Sequence, residues 1–206
     1  MMGAVSGILY RFRGYVLGVL ALALLAFPAS PLSADSVPAW VTACVLLLAG
    51  ILLRVKTRQY IGDHTRGQKR EADSLVTGGP YAYMRHPLYL SNTSVAFSAI
   101  LFHLGFSLVA VPFVLAVLLF EIFLARAEDS FLEAKFGEAW RNWAARSPFV
   151  PWNIVAVCRK RRACRCGDAA VPPENSFFRA FCADRSTWAW VLFYNLVLVL
   201  IKFGPI

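Results

Sequence analysis

Arg85 and His86 stand directly before Pro87, at the mouth of a long apolar run, "LYLSNTSVAFSAILFHLGF". Proline suits the first position of a helix, because its missing N–H would have had no intrahelical partner there. That accounts for Pro87 and leaves two basic side chains to be explained. A helix N-terminus beside a cation attracts anions, through its unsatisfied N–H groups and its dipole. Alternatively, Arg85 snorkels to lipid headgroups with its aliphatic stem along apolar surface.

Acidic groups form the second feature. Glu121 lies in "LLFEIFLARAED", and an ionisable side chain inside an apolar span is a functional hypothesis by default. Glu121 and Glu128 are seven residues apart, so a helix puts them on one face about 10 Å apart. That face could line a polar cavity; Glu128 and Asp129 could equally be solvated interfacial charge. Ser91, Asn92, Thr93 and Ser94 form a polar patch one turn into the run after Pro87. Interhelical hydrogen bonding is the ordinary use of such residues, with Asn92 the one to test as a substrate contact. His103, at the far end, is expected at the surface. A cation with a helix dipole on one side and an acid pair on the other suits a zwitterion carrying carboxylate, amine and ribose hydroxyls.

The elements holding these groups must be apolar helices. The chain has 206 residues, of which 58% are hydrophobic and 16% charged; soluble domains carry about 25% charged residues. A bilayer core of about 30 Å takes roughly 20 helical residues. Five stretches meet or approach that length: Gly14 to Phe27, Val37 to Leu53, Pro87 to Phe106, Ser107 to Ala125 and Thr187 to Phe203. The predicted fold is all-α, a polytopic membrane protein with about five transmembrane helices and a cytosolic interfacial helix. Three segments organise it: a transmembrane hairpin and loop over 1–74, a second hairpin with the interfacial helix over 75–152, and a basic loop with a final span over 153–206. His103, Leu104 and Gly105 barely separate the third and fourth spans, which makes them antiparallel neighbours. Gly78-Gly79-Pro80 breaks any helix ahead of them. Beyond the fourth span, Phe131, Leu132, Phe136, Trp140 and Trp143 recur at helical spacing, which predicts an amphipathic helix against the membrane face. Gly137 is placed to interrupt it, and Pro148 and Pro151 to end it.

The net charge is +9, and its placement argues against nucleic acid. Arg11 and Arg13 precede the first span; Arg54, Lys56, Arg58, Arg66, Lys69, Arg70 and Arg85 lie between the second and third; most of the rest falls after Arg126. The two outer connections offer Asp35 and no lysine or arginine. Lysine and arginine gather on the cytoplasmic side, so the N-terminus and both basic loops face the cytosol, in reach of anionic headgroups. Of five cysteines, Cys158, Cys164 and Cys166 fall in the second basic loop, where thiols stay reduced. Without a partner pair or histidine they make a poor zinc site, and acylation is their alternative use; no metal is expected. "FPASPLSAD" after a short apolar run also fits a signal peptide, whose cleavage would remove the first span and leave the orientation unchanged.

"LVTGGPYAYMRHPLYLS" and, further on, "RAEDSFLEAKFGEAWRNWAARSPFVPW" together resemble the isoprenylcysteine carboxyl methyltransferase and phospholipid methyltransferase superfamily of integral membrane enzymes. The shared pattern is a glycine-containing turn, arginine-histidine-proline-x-tyrosine at a helix start, a double acid, phenylalanine-glycine, spaced aromatics and a closing proline. The resemblance implies S-adenosylmethionine as cofactor, bound at the cytosolic end of the hairpin, and a lipophilic acceptor taken from the bilayer. It implies one cofactor wall of Gly79, Tyr81, Arg85, His86 and Tyr89, a second of Glu128 and Asp129, and Trp140 as a cap. Arg85 and Glu121 stand as catalytic candidates, Asn92 and Trp143 as substrate contacts. Three positions depart from the pattern. Ser91 stands where glycine is common and would crowd the backbone near the cofactor; Asp129 is one methylene shorter than glutamate; Trp140 and Trp143 replace tyrosines.

Such a transfer is an in-line displacement at a sulfonium methyl group, promoted by near-attack geometry in a dry pocket. A carboxylate or thiolate acceptor needs no base. An amine must arrive deprotonated, and Glu121 is then the candidate base. The leading acceptor is an isoprenylcysteine-like carboxylate, with a phospholipid amine as the alternative and small thiols behind. Two other classes stand further off. Related sterol reductases bind a nicotinamide cofactor whose phosphates need cations where this chain has Glu128 and Asp129, and a non-catalytic membrane scaffold is the last reading. The bacterial inner membrane is favoured over the endoplasmic reticulum.

Overall fold

The computed structural model describes residues 12–30, 36–61, 74–149 and 172–204. The expectations for Arg11, Asp35, Arg66, Lys69, Arg70, Pro151, Cys158, Cys164 and Cys166 lie outside the described residues. In chain order the helices are α1 (Arg13–Leu25), α2 (Val37–Ile61), α3 (Pro87–Leu104), α4 (Ala110–Phe136), α5 (Glu138–Ala144), α6 (Phe177–Ala183) and α7 (Arg185–Phe203), with a 3-10 turn at Gly79–Ala82.

Three of these helices, α2, α4 and α7, are long and apolar enough to cross a membrane. At 1.5 Å per residue they extend about 37, 40 and 28 Å, against a core of about 30 Å. Of the five expected spans these three are clear, and the other two are shorter or more polar. α1 has 13 residues, because its helix starts at Arg13 and stops short of Pro28. α3 has 18 residues, but Ser91–Ser94, Ser98 and His103 dilute its apolar character. The chain is thus an all-α, multi-pass membrane protein.

One compact unit gathers Met1–Leu52, Leu90–Leu124 and Asp184–Ile206. Its core joins Leu24, Ile100, Leu104, Ala110 and Val117, flanked by Leu20, Phe97 and Phe113. Lipid is as apolar as leucine, so close packing and hydrogen bonds must hold membrane helices together. α2 and α3 do this at Gly50. A Cβ there would stand 2.9 Å from Val95 Cγ2 and 3.1 Å from the Ser91 carbonyl oxygen, and Ser91 Oγ donates to the Gly50 carbonyl at 2.8 Å. The expected crowding of a cofactor by Ser91 is therefore corrected: its fully buried hydroxyl turns to α2, and the small residue sits on the facing helix.

His103 is a second correction, being fully buried rather than at the surface. Its Nε2 donates to the Phe27 carbonyl at 2.9 Å, while the Ser30 N–H donates to the His103 carbonyl at 2.7 Å. The chain leaving α1 thus folds over the end of α3. α7 adds Lys202, only 8% exposed, whose ammonium donates to Ser30 Oγ at 3.0 Å and to the Phe102 carbonyl. It also lies 5.2 Å from the Trp40 ring and 5.1 Å from the Phe102 ring. A cation is well placed among helix C-terminal carbonyls and aromatic faces. The outward faces are apolar: Val37, Val41, Val45, Leu48 and Leu52 are exposed along one side of α2, a stripe suited to acyl chains.

The other unit comprises Leu53–Tyr89 and Ala125–Ala183. Here α2 ends in polar residues that are satisfied locally. Thr57 Oγ1 donates to the Leu53 carbonyl at 2.7 Å, and the Asn175 N–H donates to the Gln59 carbonyl at 3.0 Å. Tyr60 lies against Gly79, whose φ of +54° and lack of a side chain are both needed: a Cβ there would run into the Tyr60 ring. Gly137, also at φ +54°, ends α4 and starts α5, as the sequence suggested. The helix expected against the membrane face differs in its aromatics. Trp140 and Trp143 are 8% and 4% exposed, turned into the protein by the bend that Gly137 permits.

Candidate functional site

The second unit brings the basic turn and the acidic end of α4 into direct contact. Pro80 opens the 3-10 turn, and its carbonyl accepts the Tyr83 N–H at 2.9 Å and the Met84 N–H at 3.2 Å. This curls the chain so that Arg85 and His86 project just ahead of α3. The turn is tied to the segment around α5 by three hydrogen bonds. Trp143 Nε1 and Ser147 Oγ donate to the Tyr81 carbonyl at 3.2 and 3.1 Å, and the Arg85 N–H donates to the Pro148 carbonyl at 2.9 Å.

Asp129 meets both basic side chains. Arg85 Nη1 donates to Oδ2 at 2.9 Å, and His86 Nε2 donates to Oδ1 at 3.0 Å. The side chains of Arg85, His86 and Asp129 are 20%, 5% and 14% exposed. Aromatic rings wall the cluster. The Arg85 guanidinium lies 5.9 Å from the Trp140 ring and 5.5 Å from that of Phe149. His86 meets Phe149 at 4.9 Å and Tyr89 at 5.7 Å, both edge to face. A low-dielectric wall strengthens the ion pair, and guanidinium over aromatic faces adds to it.

Not every group in the cluster is used. Arg85 Nε and Trp140 Nε1 are buried N–H donors without an acceptor among the described residues. Glu128, half-buried next to Asp129, makes no side-chain hydrogen bond or ion pair among them. Two buried N–H donors without an acceptor among the described residues ask for a partner.

Of the residues singled out in the sequence, Gly79, Tyr81, Arg85, His86, Tyr89, Asp129, Trp140 and Trp143 thus gather in this unit, with Glu128 beside Asp129. Gly79 serves the turn, packed on Tyr60. Trp143 spends its indole N–H on the Tyr81 carbonyl. Glu121 and Asn92 belong to the first unit, where Glu121 is 3% exposed and Asn92 is half-buried. The sequence reading passed over Tyr60, Ser147 and Phe149. Phe149 had a visible signal, an aromatic next to the closing proline; Tyr60 and Ser147 had none, since their roles arise from a ring and a hydroxyl meeting distant backbone.

A family model described as phospholipid methyltransferase matches residues 38–139. By that segment the chain belongs to the phospholipid methyltransferase superfamily. The match takes in Arg85, His86, Glu128 and Asp129 and stops just before Trp140. No curated protein and no solved structure matches the chain. S-adenosylmethionine, the cofactor this methyltransferase superfamily implies, carries a carboxylate and an ammonium. The spare donors of Arg85 and Trp140 fit the first, and the unpaired Glu128 carboxylate fits the second. Among the described residues no three histidine, cysteine or acidic side chains gather as metal ligands.

Proposed function

We propose that this protein transfers a methyl group from S-adenosylmethionine to the amine of a phospholipid. The observation that carries this reading is the Arg85–His86–Asp129 cluster inside the matched segment, with a spare Arg85 N–H and, just beyond the segment, a spare Trp140 N–H. The description of the matched family favours a phospholipid amine over the isoprenylcysteine carboxylate expected from the sequence.

When bound, S-adenosylmethionine supplies an electrophilic methyl group on a sulfonium sulfur. Arg85 Nε and Trp140 Nε1 hold its carboxylate, and Glu128 holds its ammonium. Asp129 fixes Arg85 and His86 through its two oxygens. Trp140 and Phe149 keep water from the guanidinium, and the hydrogen bonds onto the Tyr81 carbonyl keep the turn in register with α5. Orientation is the main catalytic contribution of such a site. Following the distribution of lysine and arginine, the site faces the cytosol.

The test is twofold. Calorimetry on detergent-purified protein is expected to give S-adenosylhomocysteine binding that Arg85→Ala and Glu128→Ala each weaken on the order of tenfold or more, as lost charge-assisted hydrogen bonds require. Membranes given methyl-labelled S-adenosylmethionine are expected to yield label in aminophospholipid. Unchanged binding in both variants, or label released by mild alkali as a carboxyl ester, sinks the reading.

A further inference from the structure

The His86 ring is held by one of its two nitrogens. Asp129, ionised beside Arg85, can only accept, and its Oδ1 lies 3.0 Å from Nε2, so Nε2 carries the hydrogen. A neutral imidazole then keeps its lone pair on Nδ1, which makes no hydrogen bond among the described residues. The ring is 6% exposed and pinned at its edges by Phe149 and Tyr89. A carboxylate on one imidazole nitrogen and a lone pair on the other is the arrangement of an oriented general base.

Two charged groups meet beside the ring: Arg85 shares the Asp129 carboxylate with it, 2.9 Å from Nη1. Glu121, the base expected from the sequence, lies in the other compact unit; His86 shares its unit with Arg85, Glu128 and Trp140.

We propose that His86 Nδ1 is the base that deprotonates the acceptor amine, with Asp129 as the positioning residue that fixes its tautomer. This rests on the aminophospholipid reading. The acceptor ammonium gives one proton to Nδ1, and the N–H bonding pair becomes a lone pair on nitrogen. That pair forms the new N–C bond as the C–S bond of the sulfonium donor breaks, leaving its electrons on sulfur. The imidazolium then releases its proton to water. An ammonium and a sulfonium enter; a methylated ammonium, a neutral thioether and a proton leave.

His86→Gln, assayed with phosphatidylethanolamine in mixed micelles at saturating S-adenosylmethionine, is expected to lower kcat on the order of 100-fold or more. Its residual rate climbs with pH, as the free amine fraction grows, over a range where the wild-type rate is flat. Wild-type kcat in His86→Gln overturns the proposal. So does a residual His86→Gln rate with the same pH dependence as the wild type, or abolition of amine methylation by Glu121→Gln in its place. A wild type that binds S-adenosylhomocysteine yet leaves the phospholipid unlabelled fails the aminophospholipid reading, and the base falls with it. An independent measurement needs no variant. The chain has three histidines, and nitrogen NMR of histidine-labelled protein at alkaline pH is expected to show His86 as the Nε2–H tautomer; the reverse tautomer overturns the proposal.

Discussion

Lys202 in one unit and Arg85 in the other are both largely removed from solvent, and both lie over two aromatic rings. Their partners differ. Lys202 donates to a serine hydroxyl and a main-chain carbonyl near the end of a helix, groups that the fold itself provides. Arg85 shares a carboxylate with His86 and keeps Nε in hand, beside a second acid. Each region leaves an indole N–H over, from Trp40 and from Trp140. Only in the second does that donor accompany a guanidinium N–H and an unpaired acid. What a buried charge leaves unsatisfied says more about its use than its burial does.

The comparison is broken most readily at Asp129. Asp129→Ala strips Arg85 and His86 of their shared acceptor, at a cost of about 2–3 kcal/mol for a largely buried pair. Phospholipid methylation is expected to fall on the order of 100-fold, the scale of a lost general acid–base contribution; an unaffected rate would mean that the cluster only holds the fold. Lys202→Met sharpens the contrast from the other side. It leaves Ser30 Oγ and the Phe102 carbonyl without their donor, about 1–3 kcal/mol, read as a lower Tm in detergent. The rate per folded molecule is expected to stay at the wild-type value, and its loss would show that the two regions are functionally coupled. The smallest effect belongs to Ser91→Ala. Losing the bond to Gly50 costs about 0.6 kcal/mol, the average for interhelical hydrogen bonds in membranes, measurable by unfolding in mixed detergent, with methylation unaffected.

The sequence carried the chemistry better than the membrane geometry. Arg85, His86, Glu128 and Asp129 were legible because charged groups at the edges of apolar runs have few structural uses. The short connection at Gly105 also put the basic and acidic ends side by side; the bonds of Asp129 to both Arg85 and His86 were not legible, since they depend on how the turn after Gly78 curls and on where α4 stops. Two of the expected spans are less clear than the rest because apolar length says nothing of helix boundaries: α1 begins at Arg13 and ends at Leu25, and α3 spends part of its length on hydroxyls. His103 and Ser91 were misplaced for a common reason. A polar side chain in an apolar run looks like a surface or ligand group until a carbonyl on another segment is found to receive it, and no sequence pattern announces that carbonyl.

One oxygen, the carbonyl of Tyr81, receives both the Trp143 indole and the Ser147 hydroxyl. Because the anchor belongs to the main chain, replacing the phenol at position 81 does not remove it. This tie therefore depends on the path of the chain at position 81 and not on its phenol. The obligation falls instead on positions 143 and 147, where a library of variants would find little tolerance.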